Sequence, residues 1–181
     1  MKEIRMLLLL AAIVGLIGSC TKTETKTSVA TTNGTLLAGA AGQSKSWTLK
    51  SLSVSVNGSA AQAVTGIPAC ESDNIYKFSN NSTQSYQNTE GNSICTSGDP
   101  ATIESGSWAF TDDGKTLLID GTNFISSDEA NSNDHFLIGN LILTQTGPLG
   151  VTQITDSSAT LTYSFSYSGS NYMITIVLGK I

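Results

Sequence analysis

Strict alternation is the clearest pattern along the chain. In Ala159-Thr160-Leu161-Thr162-Tyr163-Ser164-Phe165-Ser166-Tyr167 every odd position is apolar or aromatic and every even one is Ser or Thr. A strand with one buried and one wet face is predicted. The segment Tyr172 to Leu178 sets Tyr172, Ile174, Ile176 and Leu178 against Met173, Thr175 and Val177. Its second face is less polar, which points to cover on both sides. Ser168-Gly169-Ser170-Asn171 supplies turn residues between the two segments and makes them a hairpin.

From Trp47 to Val56 the apolar residues start at odd positions (Trp47, Leu49) and finish at even ones (Leu52, Val54, Val56). Side chains alternate without exception along a regular strand, so this slip of phase predicts a β-bulge near Lys50 or Ser51. Further strands are expected at Asn74 to Ser79, Gln84 to Asn88, Ser105 to Thr111, Lys115 to Asp120, His135 to Thr144 and Val151 to Thr155. Asp112-Asp113-Gly114 joins two of them as a hairpin turn, with Gly where a positive φ is needed. From Ser44 onward no long segment has a helical period. Eight to nine antiparallel strands within residues 44–181 describe an all-β domain. A closed up-and-down β-barrel fits that count and removes exposed edges; a two-sheet sandwich is the rival.

The N-terminus has a different character. Met1-Lys2-Glu3-Ile4-Arg5 precedes an apolar run through Leu16, and Ile17-Gly18-Ser19-Cys20 closes it. A basic start, a short apolar run and a small-residue boundary predict a secretory signal peptide over 1–19. The boundary resembles a bacterial lipobox. That resemblance implies that Cys20 becomes the first mature residue and carries acyl chains, which hold the protein to a membrane leaflet without spanning it. Residues 20–43 then read as the lipidated Cys and a flexible tether, since Thr, Ala and Gly dominate with no aromatic. Within it, Leu36 and Leu37 offer a short strand or a cover for one end of the domain.

Composition adds limits rather than a function. The chain has 181 residues, 39% hydrophobic and only 13% charged, which predicts a packed core and not a disordered polymer. Loss of residues 1–19 removes Lys2, Arg5 and Glu3, leaving seven lysines against thirteen carboxylates and no arginine. Such a surface lacks the bidentate donors that grip phosphate, so nucleic acid is disfavoured as a partner. With Cys20 assigned to lipid, Cys70 and Cys95 remain as an even pair. In an exported chain this favours a disulfide, with two thiols or a metal pair as the competing accounts. No metal and no cofactor are expected.

The ordered landmarks resemble the lipocalin-like lipoproteins of Bacteroidetes. They are Trp47-Thr48-Leu49, Cys70-Glu71-Ser72-Asp73-Asn74 leading into Tyr76-Lys77-Phe78, then Cys95, then Gly106-Ser107-Trp108 followed by Asp112-Asp113-Gly114-Lys115-Thr116-Leu117, and a closing hairpin with Leu161 and Lys180. One departure is Lys45, which stands where lipocalins place a Gly two residues before the first-strand Trp. The resemblance implies a lipocalin-like barrel over 44–181, in the cell envelope at the outer membrane, with a cavity for a small apolar molecule.

Alternation places Trp47, Leu49, Tyr76, Phe78, Tyr86, Trp108, Phe110, Tyr163, Phe165 and Tyr167 inward. These side chains either line a pocket or fill the interior outright. The first outcome describes a non-catalytic binding module for a small apolar ligand or envelope lipid. The second describes an interaction protein whose loops meet another protein or a glycan. His135 beside Asp134 is a general-base candidate that lacks any accompanying catalytic motif, so it reads as structural and no enzyme is expected. Ser126 to Asp134 offers hard oxygens for calcium but lacks the EF-hand Gly and closing Glu, and reads as a solvated loop. The glycan-acceptor patterns at Asn33, Asn57, Asn80 and Asn81 read as turn residues. Replacing Cys20 by Ala is expected to move the protein from the membrane pellet to the soluble fraction; unchanged fractionation would refute the lipid anchor.

Overall fold

The structure, a computed structural model, describes residues 27–95, 97–98, 100–120, 137–138, 141–142 and 147–181. In chain order its elements are α1 (Val29–Ala38), β1 (Ser44–Val56), β2 (Gln62–Ala63), α2 (Ala69–Ser72), β3 (Ile75–Ser79), β4 (Ser85–Thr89) and β5 (Thr102–Phe110). There follow β6 (Thr116–Ile119), β7 (Leu137–Ile138), β8 (Leu141–Ile142), β9 (Leu149–Ile154), β10 (Ser158–Tyr167) and β11 (Ser170–Lys180). Nine antiparallel strands form one sheet in the order β11-β10-β9-β6-β5-β4-β3-β1-β2. Because β1 also pairs with β11, the sheet closes into a ring. Closure rules out two sheets with free borders.

Strand β1 carries that closure. Trp47 to Val56 pair with Lys180 to Tyr172 of β11, while the opposite edge of β1 meets β3 at Ser44–Trp47 and β2 at Ser53–Val54. The register with β11 shifts between Leu49 and Ser51, so the bulge lies where the change of phase places it. Its effect is to keep Trp47, Leu49, Leu52 and Val54 all on the buried side. The stem of the bulged Lys50 crosses Gly179, where any side chain would collide with it.

The β10–β11 hairpin turns at Ser168 and Gly169, with φ of 48° and 80° and Tyr167 facing Ser170. Two consecutive positive φ values match the right-handed twist of the strands on either side. Only one face of β11 is deeply buried: Ile174, Ile176 and Leu178 are sealed, while Met173 is 44% exposed. The expectation of cover on both faces is corrected there. The single strand expected over His135 to Thr144 is also corrected, since its described parts, β7 and β8, pair with each other.

The flexible tether expected through residue 43 is corrected over Val29–Ala38, which are helical. Ser28 caps the start by accepting the Thr31 N–H at 3.1 Å, and the Gly39 N–H closes the end on the Thr35 carbonyl at 2.9 Å, with φ of 92° at Gly39. Gly34, Leu37 and Ala38 form its buried stripe. Asn33 therefore lies on a helix and not in a turn, and its amide donates to the Gly114 carbonyl at 2.9 Å.

Three further bonds dock α1 over one end of the ring. Trp47 Nε1 donates to the Leu37 carbonyl at 2.9 Å, Lys45 Nζ to the Leu36 carbonyl at 2.8 Å, and Asn80 Nδ2 to the Gly39 carbonyl at 2.8 Å. A cation on the last carbonyls of a helix is favoured by the helix dipole. Lys45 also pairs with Asp156 at 2.7 Å, so the same side chain fastens both the helix end and the β9–β10 turn. Truncating fully buried Leu37 to Ala is expected to cost about 2–5 kcal/mol, read as a lower urea midpoint. A detached tether would leave that midpoint unmoved.

Candidate functional site

The two ends of the ring differ. At the lower end, beneath α1, the aromatic residues expected inside pack against one another. Trp47, Tyr76, Phe78, Tyr86 and Trp108 are all 3% exposed or less. Phe78 lies 5.2 Å from Tyr86 and 6.2 Å from Trp108, and Trp108 lies 5.8 Å from Phe110, measured between ring centres. The last two pairs are edge-on, a favourable arrangement of ring quadrupoles. Trp108 Nε1 donates to the Ser79 carbonyl at 3.1 Å, and Gly34 of α1 rests on the Trp108 ring. These side chains fill this end rather than line a void.

Higher on the same wall the interior is polar. Register sets Tyr76 opposite Asn88 and Asn88 opposite Glu104, so the three share the inner face of β3, β4 and β5. Asn74 lies two residues before Tyr76 on that face, and its amide approaches Glu71 Oε2 at 3.5 Å. Glu71, Asn74 and Asn88 are 3%, 3% and 1% exposed. The side-chain carbonyls of Asn74 and Asn88 meet no hydrogen-bond donor among the described residues. Each such orphan costs about 1–3 kcal/mol. Burial pushes the Tyr76 phenol well above its ordinary range, helped by Glu71 and then Glu104; Tyr86 is raised by burial, then by Tyr76 and Glu104. Both phenols stay protonated at neutral pH and feel a negative potential.

This polar wall is absent from the expected set of site residues. A signal for it existed, because Asn88 has the same parity as Tyr86 and Asn74 the same as Tyr76. Close approach also shapes this wall. Gly106 faces Tyr86 across β4–β5, and the Asp120 carbonyl occupies the position a side chain at Gly106 would need.

At the upper end, Tyr163, Phe165 and Tyr172 stack in a ladder, with ring centres 5.6 and 5.1 Å apart and planes inclined by 25° and 10°. All three are half-buried. Phe165, Tyr172 and Met173 border an open rim cleft of about 370 Å³ together with Ser55, Ser164 and Ser166. Tyr167 is corrected: it is 57% exposed, because it is the last residue before the turn and no described strand covers it. Phe110 is half-buried at the α1 end, beside Trp108.

Cys70 and Cys95 form a disulfide across 25 positions, joining α2 to the β4–β5 connection. Asp73 reinforces the tie by accepting the N–H groups of Asn92 and Ser93, each at 3.0 Å. Glu71 Oε1 lies 3.6 Å from the Cys95 sulfur. That approach is a packing contact, since a disulfide sulfur has no proton to give. Cys20, His135 and the Ser126 to Asp134 run lie outside the described residues. Among the described residues no three His, Cys, Asp or Glu side chains gather as a metal set, and no helix is long and apolar enough to cross a membrane.

The Cys70→Ser/Cys95→Ser double variant is expected to lose about 3 kcal/mol of stability. An unchanged melting midpoint would mean that Asp73 alone holds the connection. Compared with known proteins, the chain matches no family model and no curated protein.

Proposed function

We propose that this chain is a lipid-anchored, lipocalin-like barrel lipoprotein of the Bacteroidetes type. It acts without catalysis as a binding module for a small apolar ligand or envelope lipid in the cell envelope, at the outer membrane. The observation that carries this reading is the partly buried stack of Tyr163, Phe165 and Tyr172 at the ring end away from α1. A stacked aromatic surface that keeps part of its area accessible beside a cleft offers contact to an apolar partner. Since the lower end is sealed, the ligand site belongs to the upper end and is shallow.

The anchor follows the lipobox resemblance at Cys20. With α1 docked on the ring, only residues 21–28 are left as tether. Even fully extended they reach no more than about 28 Å. The domain is therefore held closer to the leaflet than a linker running to residue 43 would hold it.

The packed lower end favours a second reading, an interaction protein that binds a protein or glycan at its rim, where serines flank the ladder. N-phenyl-1-naphthylamine separates the two. Binding of an apolar ligand predicts a saturable rise in dye fluorescence that falls at least fivefold in a Phe165→Ser/Tyr172→Ser variant. A flat response, with only unliganded protein in native mass spectra, would sink the ligand reading and leave the rim interaction.

A further inference from the structure

The rim cleft is built on the outer face of three strands. Register sets Ser55 of β1 opposite Met173 of β11, and Met173 opposite Ser164 of β10; Asn171 stands opposite Ser166 in the next row. Because Ile174 and Ile176 are sealed in the interior, Met173 and its row face outward. Two turns wall this row in. Asn57 and Gly58 follow β1 with φ of 50° and 76°, and the loop folds back so that the Ser55 hydroxyl donates to the Ser59 carbonyl at 2.6 Å. Two bonds of 2.8 Å fasten that loop to the β10–β11 turn, from the Asn57 N–H to the Asn171 carbonyl and from the Asn171 N–H to Asn57 Oδ1. The cleft is thus shaped before any ligand arrives, which lowers the cost of binding.

Size and chemistry narrow what it takes. Its volume of about 370 Å³ lies at the small end of the roughly 300–1,000 Å³ of small-molecule sites. At ~30 Å³ for a water-sized group that is room for about a dozen non-hydrogen atoms, and a lipid with two acyl chains is several times too large. Phe165, Tyr172 and the 44%-exposed Met173 make the lining chiefly apolar, and a thioether packs well against an aromatic ring. The Ser166 hydroxyl donates to Asn171 Oδ1 at 2.6 Å, which engages the amide oxygen and leaves the Asn171 NH₂ and the Ser164 hydroxyl as donors without a partner among the described residues. None of the residues that line the cleft is an acid or a base of the Asp, Glu, Lys, Arg or His kind. A charged ligand would give up water there with no counter-charge in return. We propose, resting on the reading of this protein as a binding module for a small apolar ligand at its upper end, that the ligand held in this cleft is a small uncharged aromatic compound bearing an acceptor oxygen.

2-Phenylethanol, phenylacetate and 2-phenylethylamine share a ring and differ in the charge of the polar end. They are titrated into the purified full chain at pH 7 and followed by saturation-transfer NMR. 2-Phenylethanol is expected to bind at least about fivefold more tightly than either ion. Met173→Asp is expected to make the amine the preferred probe and Met173→Lys to make phenylacetate preferred. Ser164→Asp, in the same outward row, repeats the first exchange should the Met173 variants misfold. Affinities indifferent to the charge of the probe, or a preference that none of these exchanges moves, would overturn the inference. So would failure of all three probes to bind. Saturable N-phenyl-1-naphthylamine fluorescence in the same preparation would in each of those cases leave the apolar-ligand reading in place, and absence of dye and probe binding together would remove both.

Discussion

Pairing between β1 and β11 is the constraint on which the other features depend. A meander of antiparallel strands has two raw edges, and each exposes a row of unpaired N–H and C=O groups. Here the first long strand and the last satisfy each other from Trp47–Lys180 to Val56–Tyr172. One strand must then face β11 along one edge and both β3 and β2 along the other. A straight, flat strand cannot do this, and the bulge at Lys50 resolves the conflict. It bends β1 while returning its apolar side chains to the interior, so that Trp47 and Leu52 are both sealed although their positions differ in parity.

Closure creates an interior, and the ends of the chain decide how much of it is filled. The Trp47 indole and the Lys45 ammonium capture carbonyls of α1, so the helix is tied to the same strand that closes the ring. Leu37 and Ala38 then complete a core already occupied by Phe78, Tyr86 and Trp108. A small ring is just wide enough for such side chains. The aromatic ladder at the upper end, by contrast, is only partly buried among the described residues.

Much of the ring was legible because alternation is a local code. Odd-numbered apolar residues in β10, the parity slip in β1 and the Gly-bearing turns each announce their geometry within a few residues. The cysteine pair was legible by arithmetic. Helix α1 was not, because Thr, Asn and Gly, all weak helix formers, fill half of VATTNGTLLA and its amphipathic stripe is only Gly34, Leu37 and Ala38. Tertiary docking makes it a helix, and the local marks were just Ser28 and Gly39 at its two ends. The polar wall was missed for a different reason. Parity assigns Asn88 to the inner face, but the habit of assigning Asn to solvent hides it.

The disulfide gains a second meaning from that wall. Helix α2 is a single turn, Ala69–Ser72, too short to persist by its own hydrogen bonds. Yet it presents Glu71, a carboxylate 3% exposed, which water would otherwise claim. Holding a buried acid on a marginal element requires a restraint that does not depend on the acid. Cys70 is the residue immediately before Glu71, and its bond to Cys95 supplies that restraint, with Asp73 adding a second tie through the backbone of Asn92 and Ser93. The covalent link therefore does more than shorten the unfolded chain: it fixes one edge of the buried polar wall.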